Sequence, residues 1–216
     1  MTYCRDAWLG AWENFENYFT DENPAMIQSW VDAEASIKEN KKSLLSAFLF
    51  RKGAKRFWQD ACYTTTKENP RKLFGWNVTD SGEENLRITW LGEGEEVLGS
   101  FEYHLEEVLP KGLESKENFL FAALDAPKGS PFTYLLSMEP FPEREAKNHG
   151  GLISHLHFQY ASSREQLLKK NDRLRVPHWY ATMCDGDATL LQRCNIVRAM
   201  HKLEIWTELP QTSKMR

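Results

Sequence analysis

Long apolar runs are missing from this 216-residue chain, as are an excess of positive charge and a cysteine framework. No stretch approaches the ~20 apolar residues that cross a bilayer, so a membrane helix is not expected. Lys and Arg total 27 against 31 Asp and Glu, a formal net charge of −4. The densest basic cluster, Arg51, Lys52, Lys55 and Arg56, is too short to track a phosphate backbone, which argues against nucleic acid as a partner. Cys4, Cys62, Cys184 and Cys194 form no Cys-x-x-Cys pair and read as free thiols. There is no nucleotide-binding glycine loop, no Gly-x-Ser-x-Gly and no Cys–His pairing worth defending. Met1-Thr2-Tyr3-Cys4-Arg5-Asp6 lacks the charged-then-apolar order of a signal peptide, so a cytoplasmic location is the expectation.

Aromatic residues, by contrast, are plentiful: eight Trp, seven Tyr and twelve Phe. Rings in that number suit a broad core or the lining of a ligand cavity. Three textures follow one another along the chain. Residues 1 to about 68 read mostly helical, with Asn23-Pro24 as a start signal and a second helix over Ser43–Ala61 that Gly53 interrupts. Residues 72–160 change to a period of two, in Leu86–Leu91, Val97–Glu106, Asn118–Leu124, Phe132–Glu139 and Leu152–Tyr160. Turn residues at Asp80-Ser-Gly, Gly92-Glu-Gly, Pro110-Lys-Gly and Pro127-Lys-Gly-Ser separate these strands. Short strands without long intervening helices predict an antiparallel meander that closes into a barrel or half-barrel. From Ser162 the helical period returns, with Ser162-Ser-Arg-Glu165 at capping-box spacing and Asp187 as a further cap. Residues 1–216 are read as one domain.

The sharpest chemical feature is Ser154-His155-Leu156-His157-Phe158. Residues two apart on a strand share a face, so both imidazoles project together and form half of a site for zinc or another borderline divalent metal. The same spacing also fits Leu156 and Phe158 in the core with two solvated histidines outside. A third ligand has two candidates: Glu139, closing the preceding strand, and His149, on the Pro140–Gly151 connection before Gly150-Gly151. Near the start, Gly10-Ala11-Trp12 lets the chain bend while the tryptophan plugs a barrel end.

In order, these pieces resemble the ZinT (YodA) family of calycin-fold metal-binding proteins. The resemblance rests on Trp8-Leu-Gly-Ala-Trp12-Glu-Asn-Phe with its helical excursion, and on Ser154-His-Leu-His-Phe-Gln-Tyr running into Ser162-Ser-Arg-Glu-Gln-Leu-Leu. It extends through Val176-Pro-His-Trp-Tyr180 to a final helix, clearest over residues 8–19 and 150–202. It implies a mainly β fold with flanking helices: an antiparallel calycin or lipocalin-like barrel with an N-terminal helical insertion and C-terminal helices. It also implies zinc held by three histidines, of which two carry over to His155 and His157. Where the family has its third, in a Ser-Asp-His context, this chain reads Ser137-Met138-Glu139. The family's signal peptide and histidine-rich segment have no counterpart. The alternative is a barrel lined by Trp76, Trp90, Phe101, Tyr103 and Phe121 that holds a small apolar ligand without metal. An enzyme using the same histidines and Glu139 is the least supported reading, because the sequence names no substrate.

Overall fold

Inward–outward alternation of side chains is what closes the sheet. The computed structural model describes residues 3–39, 52–149 and 152–210. Eight strands follow in order: β1 Gly10–Asn14, β2 Gly75–Asp80, β3 Leu86–Leu91, β4 Val97–Leu109, β5 Asn118–Ala123, β6 Tyr134–Ser137, β7 His155–Ala161 and β8 Ala181–Asp185. Each pairs antiparallel with its sequence neighbour, and β1 pairs with β8 to complete a closed barrel. Closure leaves no exposed edge to recruit another chain. Thus the calycin-type architecture expected from the sequence is the one the chain adopts.

β1 and β8 lie outside the stretch read as strands. β8 is buried at all five positions, so its sequence carries no alternation to reveal it. Two glycines permit the closure. Gly10 sits at φ +107°, in the left-handed region, and a Cβ on Gly75 would stand 2.2 Å from the Trp12 carbonyl oxygen. Trp12 is buried and donates from Nε1 to the Trp8 carbonyl at 2.7 Å. Trp8 in turn meets Phe119 and Phe121 edge-on.

The lumen is filled. Trp76 and Trp90 pack edge to face at 5.0 Å, Trp90 stacks on Phe132 at 4.6 Å, and Trp76 lies 4.7 Å from Phe158. Trp90 Nε1 donates to the Tyr103 hydroxyl at 2.9 Å, so both polar tips are satisfied inside. Burial of each such ring contributes on the order of 2–3 kcal/mol. Of the residues proposed as walls of an internal ligand cavity, Trp76, Trp90, Tyr103 and Phe121 are fully buried core, and Phe101 packs against that core.

A second apolar layer forms outside the barrel. The helices are α1 Asn17–Thr20, α2 Pro24–Glu39, α3 Ala54–Cys62, α4 Arg164–Leu167 and α5 Leu190–Met200. Phe15, Phe19, Met26, Trp30, Cys62, Cys184 and Val197 join α2, α3 and α5 to the outer face of β8. An Arg198–Asp32 ion pair ties α5 to α2. The helix read over Ser43–Ala61 is seen from Ala54, with Gly53 as its N-cap at φ +96°; its earlier part falls outside the described residues. Capping also shifts from the sequence reading. Ser163 with Gln166 caps α4, and Thr189 with Gln192 caps α5, because those glutamines reach back to the cap backbone. Among the described residues, no helix is long and apolar enough to cross a membrane.

Candidate metal centre

β7 alternates as its pattern requires, and this decides where the imidazoles go. Leu156, Phe158 and Tyr160 belong to the barrel core, so His155, His157 and Gln159 project from the outer wall. They are not left in water. A cavity of about 660 Å³ lies against this face, and its lining includes Phe57, Trp58 and Ala61 of α3, Ile196 and Met200 of α5, and both histidines. Glu114, His178, Tyr180 and Thr182 also line it.

Each of these groups is held from behind. Gln159 Nε2 donates at 2.8 Å to the carbonyls of both Val176 and Trp179, which fixes the segment carrying His178 and Tyr180. Tyr180 N–H donates to the Ala61 carbonyl at 2.8 Å, joining that segment to α3. Glu114 arrives from the β4–β5 turn, where Glu114 and Ser115 take φ values of +53° and +58°. Left-handed conformations at non-glycine residues cost on the order of 1–3 kcal/mol each and concentrate at binding sites. Buried Asn118 holds the turn, accepting from Leu113 N–H at 2.9 Å and donating to the Glu117 carbonyl at 2.8 Å.

A hydrogen-bond chain orients the His157 ring. Thr182 Oγ1 has a single proton and donates it to the Tyr180 carbonyl at 2.7 Å. Its oxygen also lies 2.8 Å from His157 Nδ1. That leaves Nε2 facing Glu114 Oε1 at 3.2 Å, with His157 at 13% side-chain exposure and Glu114 at 38%. The His157 hydrogen bond, with help from Lys116, holds the Glu114 carboxyl down at about 2, so it is ionised at neutral pH. Burial, then the neighbouring His157, holds His155 down at about 4, so its ring is neutral and a competent ligand. The two rings stand 5.8 Å apart, centroid to centroid.

Two of these residues, His157 and Glu114, present donor atoms at a spacing a divalent ion could bridge. Two ligand atoms on one tetrahedral zinc, with bonds of about 2.0–2.1 Å, stand about 3.3 Å apart. The Nε2–Oε1 separation of 3.2 Å is of that size. A hydroxyl behind Nδ1 is the kind of second partner that orients metal-ligating histidines. Among the described residues, no three His, Cys, Asp or Glu side chains already converge as a metal-sized group. Bringing His155 to the same ion as His157 and Glu114 thus takes side-chain rotation.

The structure unites His155 and His157 but places the two other sequence candidates elsewhere. β6 and β7 form the expected hairpin, yet Ser137 pairs with Phe158 and Phe141 bridges to His155, so Phe141 and not Glu139 stands opposite that histidine. Glu139 is absent from the cavity lining; burial raises its carboxyl, and Glu117 and the Cys4 backbone lie near it. His149 ends a 3₁₀ turn, Arg144–His149, and is exposed. Arg144 and Lys147 clamp this turn to buried Asp185 at 3.0 and 2.6 Å, and Arg144 lies over Trp12 at 4.1 Å. Glu114, Thr182 and Tyr180 escaped the sequence reading. The one local signal was the turn Pro110-Lys-Gly, which marks a loop but not a ligand.

No protein-family model matches the chain, and no curated protein matches it. Among solved structures it is similar to the Zn(II)-bound ZinT-like domain of Streptococcus pneumoniae AdcA, with a TM-score of 0.52 and 15% identity. That match covers 93% of this chain and 91% of the other. Together with the closed eight-stranded barrel and its flanking helices, it gives this molecule the ZinT-like, calycin-type fold.

Proposed function

We propose that this chain binds one divalent transition-metal ion, zinc in the first instance, through His155, His157 and Glu114. The carrying observation is the ionised Glu114 carboxylate 3.2 Å from His157 Nε2, beside the neutral His155 ring and in one partly enclosed cavity. A neutral imidazole, an oriented imidazole and a carboxylate form a two-nitrogen, one-oxygen donor set suited to zinc, with a fourth position left to water or a ligand. The zinc-bound state of the fold relative supports the same reading. Glu114 takes the carboxylate role that the sequence offered to Glu139. The residues offered as walls of an apolar-ligand cavity pack on one another as core, with Trp90 stacked on Phe132, which favours the metal reading over that alternative.

Calorimetric titration of chelator-treated protein with zinc tests this. One-to-one binding is expected, lost in His155→Ala/His157→Ala and weakened in Glu114→Gln, with Glu139→Gln and His149→Ala unchanged. Binding that survives the double substitution, or that depends on Glu139 or His149 instead, contradicts the proposal.

A further inference from the structure

Most polar groups of the cavity lining are already partnered within the protein. Thr182 Oγ1 donates to the Tyr180 carbonyl at 2.7 Å and meets His157 Nδ1 at 2.8 Å. Asp60 pairs with Arg56 at 2.9 Å and with Lys52 at 3.4 Å. Glu114 pairs with Lys116 at 3.0 Å as well as with His157. Trp58 Nε1 donates at 3.2 Å to His201 Nε2, which stands outside the lining, and His201 Nδ1 lies 2.8 Å from the Val197 carbonyl. Burial pushes the Cys62 thiol up to about 12, so it stays protonated and uncharged. What the lining offers an occupant is ring and aliphatic surface, from Phe15, Trp58, Tyr180, Ile196 and Met200.

We propose that this cavity binds a small uncharged aromatic molecule, with or without a metal ion present. The inference goes beyond the metal reading and does not rest on it. At about 660 Å³ the cavity lies within the ~300–1,000 Å³ range of sites for small organic molecules. Its walls are held before a ligand arrives. The Tyr180 N–H bond to the Ala61 carbonyl, at 2.8 Å, joins α3 to the residue preceding β8, and the Trp58–His201 bond ties α3 to the end of α5. Walls fixed in this way spare a ligand the cost of ordering them. An anion in the cavity would face Asp60 and Glu114, and a cation would compete with Arg56, Lys52 and Lys116 for the same two carboxylates. Either would give up its hydration without meeting an unanswered charge. An uncharged ring loses little hydration, buries apolar area, and gains edge or stacking contacts with Trp58 and Tyr180.

The test titrates chelator-treated protein with 2-naphthol, which is uncharged at neutral pH, and with its charged relatives 2-naphthoate and 2-naphthylmethylammonium. 2-Naphthol is expected to bind one-to-one and at least about tenfold more tightly than either charged relative. Ala61→Phe and, separately, Met200→Trp are expected to weaken it at least about tenfold by filling the space, with folding of each variant checked by circular dichroism. Nuclear Overhauser contacts between the naphthol rings and the Met200 methyl group are expected in the unsubstituted protein, which places the probe without any substitution. The inference is overturned by a flat naphthol isotherm, by equal binding of a charged relative, by undiminished binding to both folded variants, or by contacts that leave out Met200. Zinc titrated into the same sample reads the metal site separately. Naphthol binding without zinc binding removes the metal reading alone, and zinc binding without naphthol binding removes this inference alone.

Discussion

The two faces of strand β7 meet opposite environments one residue apart. Inward, Leu156, Phe158 and Tyr160 enter a core where Trp76 and Phe132 pack 5.0 and 4.6 Å from Trp90. Outward, His155 and His157 meet a cavity of about 660 Å³ roofed by helices instead of strands. Barrels of eight strands enclose just enough room either to be filled or to hold one small ligand. This one spends its lumen on stability and places its polar chemistry on the outside wall. α3 is what makes that possible, because it converts an exposed strand face into a partly enclosed site.

The contrast can be broken on either side. Phe158→Ala removes a fully buried ring and is expected to lower stability by about 3–5 kcal/mol in chemical denaturation, while the folded fraction keeps its zinc affinity. A loss of affinity beyond the loss of fold would mean that the two faces are coupled. Asp185→Asn leaves Arg144 and Lys147 without their buried partner and is expected to cost about 3 kcal/mol, again without weakening zinc. A matching drop in zinc affinity would bring the Arg144–His149 turn, and His149 with it, back into the site.

On the outer face the expected effects fall on binding instead. Glu114→Gln is expected to weaken zinc roughly 10–100-fold with a denaturation midpoint close to the parent's, since the residue is 38% exposed. Thr182→Val removes the hydroxyl hydrogen-bonded to His157 Nδ1 and is expected to weaken zinc about tenfold, the usual size of a second-partner effect. If Thr182→Val leaves zinc untouched, the hydroxyl does not orient His157 for binding.

Period-two patterning made the middle of the barrel legible, and the same pattern placed both imidazoles on one face. It did not say which face, because a strand with histidines outward and leucine inward reads alike whether a helix covers the outside or water does. β8 was hidden by burial on both sides, and β1 by lying inside a stretch read as mostly helical. Glu114 was illegible for a different reason. It sits in a turn with no period, is aimed by two left-handed residues, and reaches His157 only once β4 and β5 are registered against the rest of the barrel. Glu139 was the natural choice from the hairpin, but pairing of Phe141 with His155 puts another residue opposite that histidine.

The most direct test of the central claim is an anomalous difference map, collected at the zinc edge, from crystals of the zinc-loaded protein. One peak bonded to His155, His157 and Glu114 is the result this account predicts. A peak held by Glu139 or His149, or none against the outer face of β7, would contradict it.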